Sequence, residues 1–197
     1  MMGKDTVQII SCSIFRESIE RLRHEGKIKC LVTYLPSMLH MYPAKLEAEL
    51  EKEFDKIGQD NRTVLLYGDC CPHMLDFEKR RSTSRTSGIN CCEIILGTGL
   101  YKKMRSEGKF FLLREWAIRW RDIFETELGL KGENAISFMK EMHTGLVYID
   151  EGIRVTPLEI LEEISAYTGL GYDILTVSED QLLKNLKSAI DRLDYDS

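Results

Sequence analysis

Six cysteines and four histidines hold most of the reactive chemistry of this 197-residue chain. The densest group lies at 64–73, Val-Leu-Leu-Tyr-Gly-Asp-Cys-Cys-Pro-His. There a short apolar run stops at Gly68 and delivers Asp69, Cys70, Cys71 and His73 into a turn closed by Pro72. Two thiols, a carboxylate and an imidazole at the end of a buried strand can bind a metal or do thiol chemistry. Cys12 ends a first apolar run, His40 follows a second, and Cys91 follows a brief extended piece at 88–90. A single free cysteine is ordinarily a small buried hydrophobe. Three thiols and an imidazole arriving from four strand ends are harder to explain by burial alone.

Cys12, His40, Cys70 and Cys91 would together fill a tetrahedral site suited to zinc, and thiolates also hold iron–sulfur clusters. No Cys-x-x-Cys spacing occurs, so the metal reading rests on the geometry expected of the fold. Cys71, Cys92 and His73 are reserves, because neighbours in an extended chain point to opposite sides. Asp69 and Asn90, each beside a candidate thiol, are placed to orient ligands by hydrogen bonds. A metal-free alternative uses one cysteine as nucleophile with His40 as its base. Asp150 and Glu151 close a later strand, where acid–base work is conceivable.

The elements that must position these residues follow from periodicity and breakers. Val7–Cys12 reads as a buried strand, 15–24 as a helix stopped by Gly26, and 28–35 as a second strand ended by Pro36. Pro43 opens a helix over 44–57 with Leu46, Leu50 and Phe54 on one face, and 63–67 is the third strand. The charged stretch 76–86, with Lys79-Arg80-Arg81 and Arg85, reads as a solvated helix end and loop. After Cys91 a helix begins that Gly97 and Gly99 should break early. Strands over 109–113, 146–149 and 173–177 alternate with helices around Trp116 to Phe124 and over 134–142, 157–167 and 181–193. Trp116 and Trp120 share a helical face as packing residues, while His24 and His143 read as surface groups.

Such alternation implies one α/β domain over residues 1–197: a mostly parallel, doubly wound, Rossmann-like sheet with helices on both faces. Ligands then sit beyond the carboxyl ends of the strands, near the point where strand order reverses. Hydrophobic residues make up 43% and charged residues 30%, a soluble globular balance. A net charge of -5 argues against a nucleic-acid partner. No apolar run is long enough to span a membrane, and Lys4 and Asp5 precede only a short apolar segment, so a cytoplasmic location is expected. A reducing compartment makes a disulfide framework an unsuitable account of six cysteines.

The motifs resemble the domain-of-unknown-function 1638 family (DUF1638), found mainly in methanogens and other anaerobes. The matching pieces run in order: Ile10-Ser-Cys12, Tyr34-Leu-Pro-Ser-Met-Leu-His40, Tyr67-Gly-Asp-Cys70, and Asn90-Cys91 with Ile95-Leu-Gly97. Phe110-Phe-Leu-Leu-Arg-Glu-Trp116 and Val147-Tyr-Ile-Asp150 complete the likeness. The resemblance implies one cysteine at each of three strand ends and a histidine after Leu-Pro, which fall on Cys12, Cys70, Cys91 and His40. Cys71-Pro72-His73 departs from a glycine-rich turn, and Ile89-Asn90 from a more polar pair. The family's association with corrinoid proteins and methylamine methyltransferases implies a role in one-carbon metabolism. The implied partner is a corrinoid protein or methyltransferase, and the implied activity, if the chain is an enzyme, is metal-thiolate methyl transfer. The alternatives are an iron–sulfur protein that supplies electrons for corrinoid reductive activation and a non-catalytic binding module with a structural metal site.

Overall fold

In the computed structural model, which describes residues 6–195, the apolar run Val7–Cys12 forms strand β1 and is buried along nearly all its length. Lys4 and Asp5 lie outside the described residues. A short 3-10 turn, Ser13–Phe15, leads into α1 (Arg16–His24), which buries Ile19 and Leu22. Next come β2 (Cys30–Leu35), a 3-10 turn (Ser37–Met41) and α2 (Pro43–Ile57). Pro43 stands in the first turn of α2, where its missing N–H costs nothing, and Leu46, Leu50 and Phe54 are buried at four-residue spacing. The chain continues through β3 (Thr63–Leu66), α3 (Met74–Glu78), β4 (Thr83–Arg85) and α4 (Cys91–Leu96).

These four strands make one sheet in the order β2-β1-β3-β4, all parallel. The order reverses between β1 and β3, so right-handed connections send α1 and α2 to opposite faces. Contacts agree with this layering: Phe54 of α2 stacks on Phe77 of α3 at 5.5 Å, while Arg21 of α1 pairs with Glu179. Glu179 precedes the last helix, α9 (Asp180–Tyr195), which packs on β3, β4 and α4.

β4 corrects the reading of 76–86 as a helix end and loop. Only three residues long, Thr83–Arg85 is too polar for hydrophobic periodicity to mark it. It is a strand because Thr83, Ser84 and Arg85 pair with Thr63, Val64 and Leu65, and because Ser84 Oγ donates to Ala189 O at 2.5 Å. The extended piece at 88–90 belongs to no strand.

The remaining strands form a second parallel sheet where a single sheet was expected. Its order is β5-β6-β7, from β5 (Lys109–Leu112), β6 (Gly145–Asp150) and β7 (Tyr172–Thr176). Around it lie α5 (Thr98–Ser106), α6 (Arg114–Ile118), a π-helical turn (Asp122–Glu127), α7 (Glu133–Met142) and α8 (Leu158–Thr168). Gly97, at φ 77°, separates α4 from α5, the break its residue type led one to expect. Trp120 is buried against Tyr167 at 4.8 Å between ring centroids. His143 differs from the surface reading: it is half-buried, edge-on to Phe110, and burial lowers its pKa.

The chain thus gathers into two compact units, Met1–Gly97 with Glu179–Ser197, and Thr98–Ser178. The architecture is α/β and Rossmann-like, with parallel sheets flanked by helices. Among the described residues no helix is long and apolar enough to cross a membrane.

Candidate functional site

In the first sheet all four strands are parallel, so their carboxyl ends share one edge. Cys12 is the last residue of β1, and His40 lies in the turn after β2. Cys70 follows β3, and Cys91 follows β4 as the first residue of α4. Ser11 pairs with Leu66, which sets the end of β1 beside Tyr67 at the reversal point of the sheet.

Local sequence explains how Cys91 reaches that point. A Cβ on Gly68 would stand 2.6 Å from Asn90 Cα and 2.5 Å from the carbonyl carbon of Ile89. Only glycine lets the two backbones approach so closely. The Asp69 N–H donates to Ile89 O at 2.9 Å and joins the turn after β3 to the loop before α4. Asn90 then caps α4, its side-chain oxygen accepting from Glu93 N–H at 2.9 Å. The buried Glu93 carboxylate accepts in return from Ile89 N–H at 3.0 Å, a capping-box arrangement shifted by one residue.

The result is a neighbourhood of thiols. The Cys91 thiol is hydrogen-bonded to that of Cys12, which together with burial and the nearby Cys70 pushes its pKa well above the usual range. Cys70 is pushed up to about 11, first by burial and then by Cys12, with the Gly68 N–H pulling partly back. Tyr67 sits among them: burial raises its pKa most, followed by Cys12, Cys70, Cys91 and Cys71. The Tyr67 side chain is 2% exposed and its hydroxyl has no hydrogen-bond partner. A buried hydroxyl left unpaired costs about 1–3 kcal/mol, and such groups call for a specific explanation.

The other thiols stand at the margin of this group or apart from it. Cys71 responds after burial to Glu47, the His73 N–H and Arg85; Cys92 is raised to about 12 by burial alone. Cys30 is raised to about 11 by burial and stands near Arg23 and Glu20. His73 is exposed and pairs with Glu47 at 2.9 Å. His40 Nδ1 lies 2.6 Å from Ser37 O. A carbonyl can only accept, so Nδ1 carries a proton.

Asp69 and Asn90 act through the backbone and through charge. Asn90 holds the helix that begins with Cys91, and Asp69 pairs with Arg85 at 2.7 Å. Arg85, which is nearly buried, also reaches Glu78 at 3.0 Å. It helps line a surface recess of about 500 Å³ with Pro43, Asp69, Cys70, Cys71 and Met74. The sequence alone puts Arg85 in a solvated charged stretch and Tyr67 in a shared motif, and gives neither a role at this edge of the sheet. Tyr67 carried one available signal, a polar-tipped aromatic closing a fully apolar run; Arg85 carried none, because β4 itself was hidden.

Asp150 ends β6 in the second sheet, where its carboxylate accepts from Gly152 N–H at 2.9 Å and from the Thr156 hydroxyl at 2.7 Å. It closes its own loop. Among the described residues, no three His, Cys, Asp or Glu side chains stand in the arrangement of a metal-ligand set. The Cys12 and Cys91 thiols are joined by a hydrogen bond, and Cys70 is near enough to both to interact with them through charge.

A family model described as "Protein of unknown function (DUF1638)" matches residues 34–187, a span that includes His40, Cys70 and Cys91 but not Cys12. No curated protein and no solved structure matches the chain.

Proposed function

The chain belongs to the DUF1638 family, and we propose that it holds a thiophilic metal on Cys12, His40, Cys70 and Cys91, zinc ahead of an iron–sulfur cluster. The observation that carries this reading is the gathering of three thiols from three elements around one unpaired buried hydroxyl. Three soft donors and an imidazole match zinc in chemistry. The His40 Nδ1–H bonded to a backbone carbonyl is the usual second contact of a ligating histidine and fixes the ring.

Loading requires the thiols to give up their protons and turn from one another toward the ion. The raised pKa values of Cys70 and Cys91 weigh against either serving as nucleophile in the metal-free alternative. With Cys70 at about 11, roughly one thiol in ten thousand is ionised at pH 7, too few for an efficient nucleophile. Zinc on such ligands supplies a Lewis acid that lowers the pKa of a thiol brought to it, provided one ligand position is given up. A surface recess lies beside Cys70 and is lined also by Asp69, Cys71 and Arg85.

The biological setting of this reading is corrinoid-dependent methyl transfer, performed or assisted, and its support is the family resemblance. Elemental analysis of protein purified without oxygen tests the metal. One zinc per chain in a colourless protein is the expected result. Iron with sulfide in a brown protein would favour the cluster and a role in supplying electrons. A chain that takes up neither, even after reconstitution, would overturn the proposal.

A further inference from the structure

β7 (Tyr172–Thr176) is an edge of the second sheet and, among the described residues, pairs with β6 alone. Its hydrogen bonds fix which way each residue faces. Leu146 N–H donates to Gly171 O, and Val177 N–H to Asp150 O, both at 2.9 Å. In a parallel ladder that phase turns the backbone groups of Asp173 and Leu175 toward β6. The N–H and C=O of Tyr172, Ile174 and Thr176 therefore face out of the sheet, and Ile174 is 42% exposed.

Open edges ordinarily carry a device against pairing with another chain: a lysine, a proline, a bulge or a covering element. In the first sheet, α9 packs against the edge strand β4. At the other edge of that sheet, Tyr34 of β2 is hydrogen-bonded to Glu20, with the Arg16 guanidinium over its ring. β7 has no such guard. Its register with β6 runs one-to-one without a bulge, and Tyr-Asp-Ile-Leu-Thr holds neither lysine nor proline. Its one charge, Asp173, is drawn back across the sheet to Lys109 of β5 at 2.9 Å. Gly145 has no side chain to block that path.

We propose that β7 pairs with β7 of a second copy, antiparallel across a two-fold axis at Ile174, so that the two three-stranded sheets join into one. The occupant follows from self-complementarity. On this axis Ile174 meets its own copy and Tyr172 meets Thr176, so every outward N–H of both strands finds a carbonyl. Asp173 then lies opposite Leu175. Moving the axis to residue 173 would set Asp173 against itself, a destabilising like-charge pair. Moving it to 175 would pair Tyr172 with Ser178, beyond the strand. Isologous pairing closes at two copies. A five-residue edge buries less than the ~1,200 Å² of a stable interface, so the dimer should assemble only at high micromolar concentration. No residue of the thiol cluster takes part, and the inference stands apart from the metal reading.

The full chain is followed by sedimentation and by residue-resolved amide exchange from low micromolar to near-millimolar concentration. A dimer should appear, with the amides of Tyr172, Ile174 and Thr176 slowing as it forms. Those of Asp173 and Leu175, bonded within the chain, should not change. Ile174→Lys sets two ammonium groups side by side and should raise the dissociation constant by on the order of tenfold or more. Val155→Lys, at a position 88% exposed and outside the strand, should leave it unchanged. A chain that stays monomeric throughout would overturn the inference. So would a dimer whose Tyr172, Ile174 and Thr176 amides exchange at the monomer's rate, or assembly that continues past two copies. If Ile174→Lys fails to fold, the concentration dependence of those three amides in the unaltered chain decides alone.

Discussion

At the scale of single residues, Cys70 and Cys30 make a controlled pair. Both thiols are pushed up to about 11 by burial, but Cys70 neighbours Cys12 whereas Cys30 neighbours Arg23 and Glu20. Cys70→Ser should sharply reduce the metal retained through purification, and Cys30→Ser should leave it unchanged; equal retention would refute the ligand assignment. The same thiols predict an alkaline weakness. A thiol raised from its ordinary 9.0 to about 11 stays neutral in the fold after it would have ionised in the unfolded chain. Its contribution is present in full below 9.0 and is lost as pH rises toward about 11. Melting temperatures of the metal-free protein should therefore fall across that window, and Cys30→Val should make the decline shallower. The cysteines were legible from the sequence as candidates because thiol chemistry belongs to the residue type. Tyr67 was not, because an unpaired hydroxyl is a property of its surroundings.

At the scale of elements, the turn after β3 and the loop before α4 form one assembly. Gly68, the Asp69-to-Ile89 hydrogen bond and the Asn90 cap hold Cys91 where the Cys12 thiol can meet it. Gly68→Ala would set a methyl group against backbone on both Ile89 and Asn90, which flexible side chains cannot relieve. It should cost about 1–3 kcal/mol or more in chemical denaturation and weaken metal uptake. A variant as stable as the parent would show that the close approach is dispensable. The long elements were plain in the sequence: α2 follows from Pro43 and the Leu46, Leu50, Phe54 stripe, and β1 and β3 from uninterrupted apolar runs. β4 was hidden, since a Thr-Ser-Arg strand gains its identity from pairing with β3.

At the scale of the whole molecule, every candidate ligand belongs to the first unit. A core deletion in the second should separate stability from metal content. Leu161, fully buried in α8, is suitable: Leu161→Ala should destabilise by about 2–5 kcal/mol while metal per folded chain stays constant. A parallel loss of metal would show that the second unit supports the site.

The sequence by itself determined the alternation of strands and helices, the parallel direction that such alternation forces, and the thiols and imidazole that follow the strand ends. Local periodicity, breakers and side-chain chemistry are enough for those. Tertiary structure alone decided that the strands divide between two sheets, with 83–85 as an edge strand of the first. It also selected Cys12, Cys70 and Cys91 as neighbours and left the Tyr67 hydroxyl unpaired among them. Strand pairing and side-chain proximity join residues tens of positions apart. A βα repeat has the same local pattern whichever strand it later pairs with.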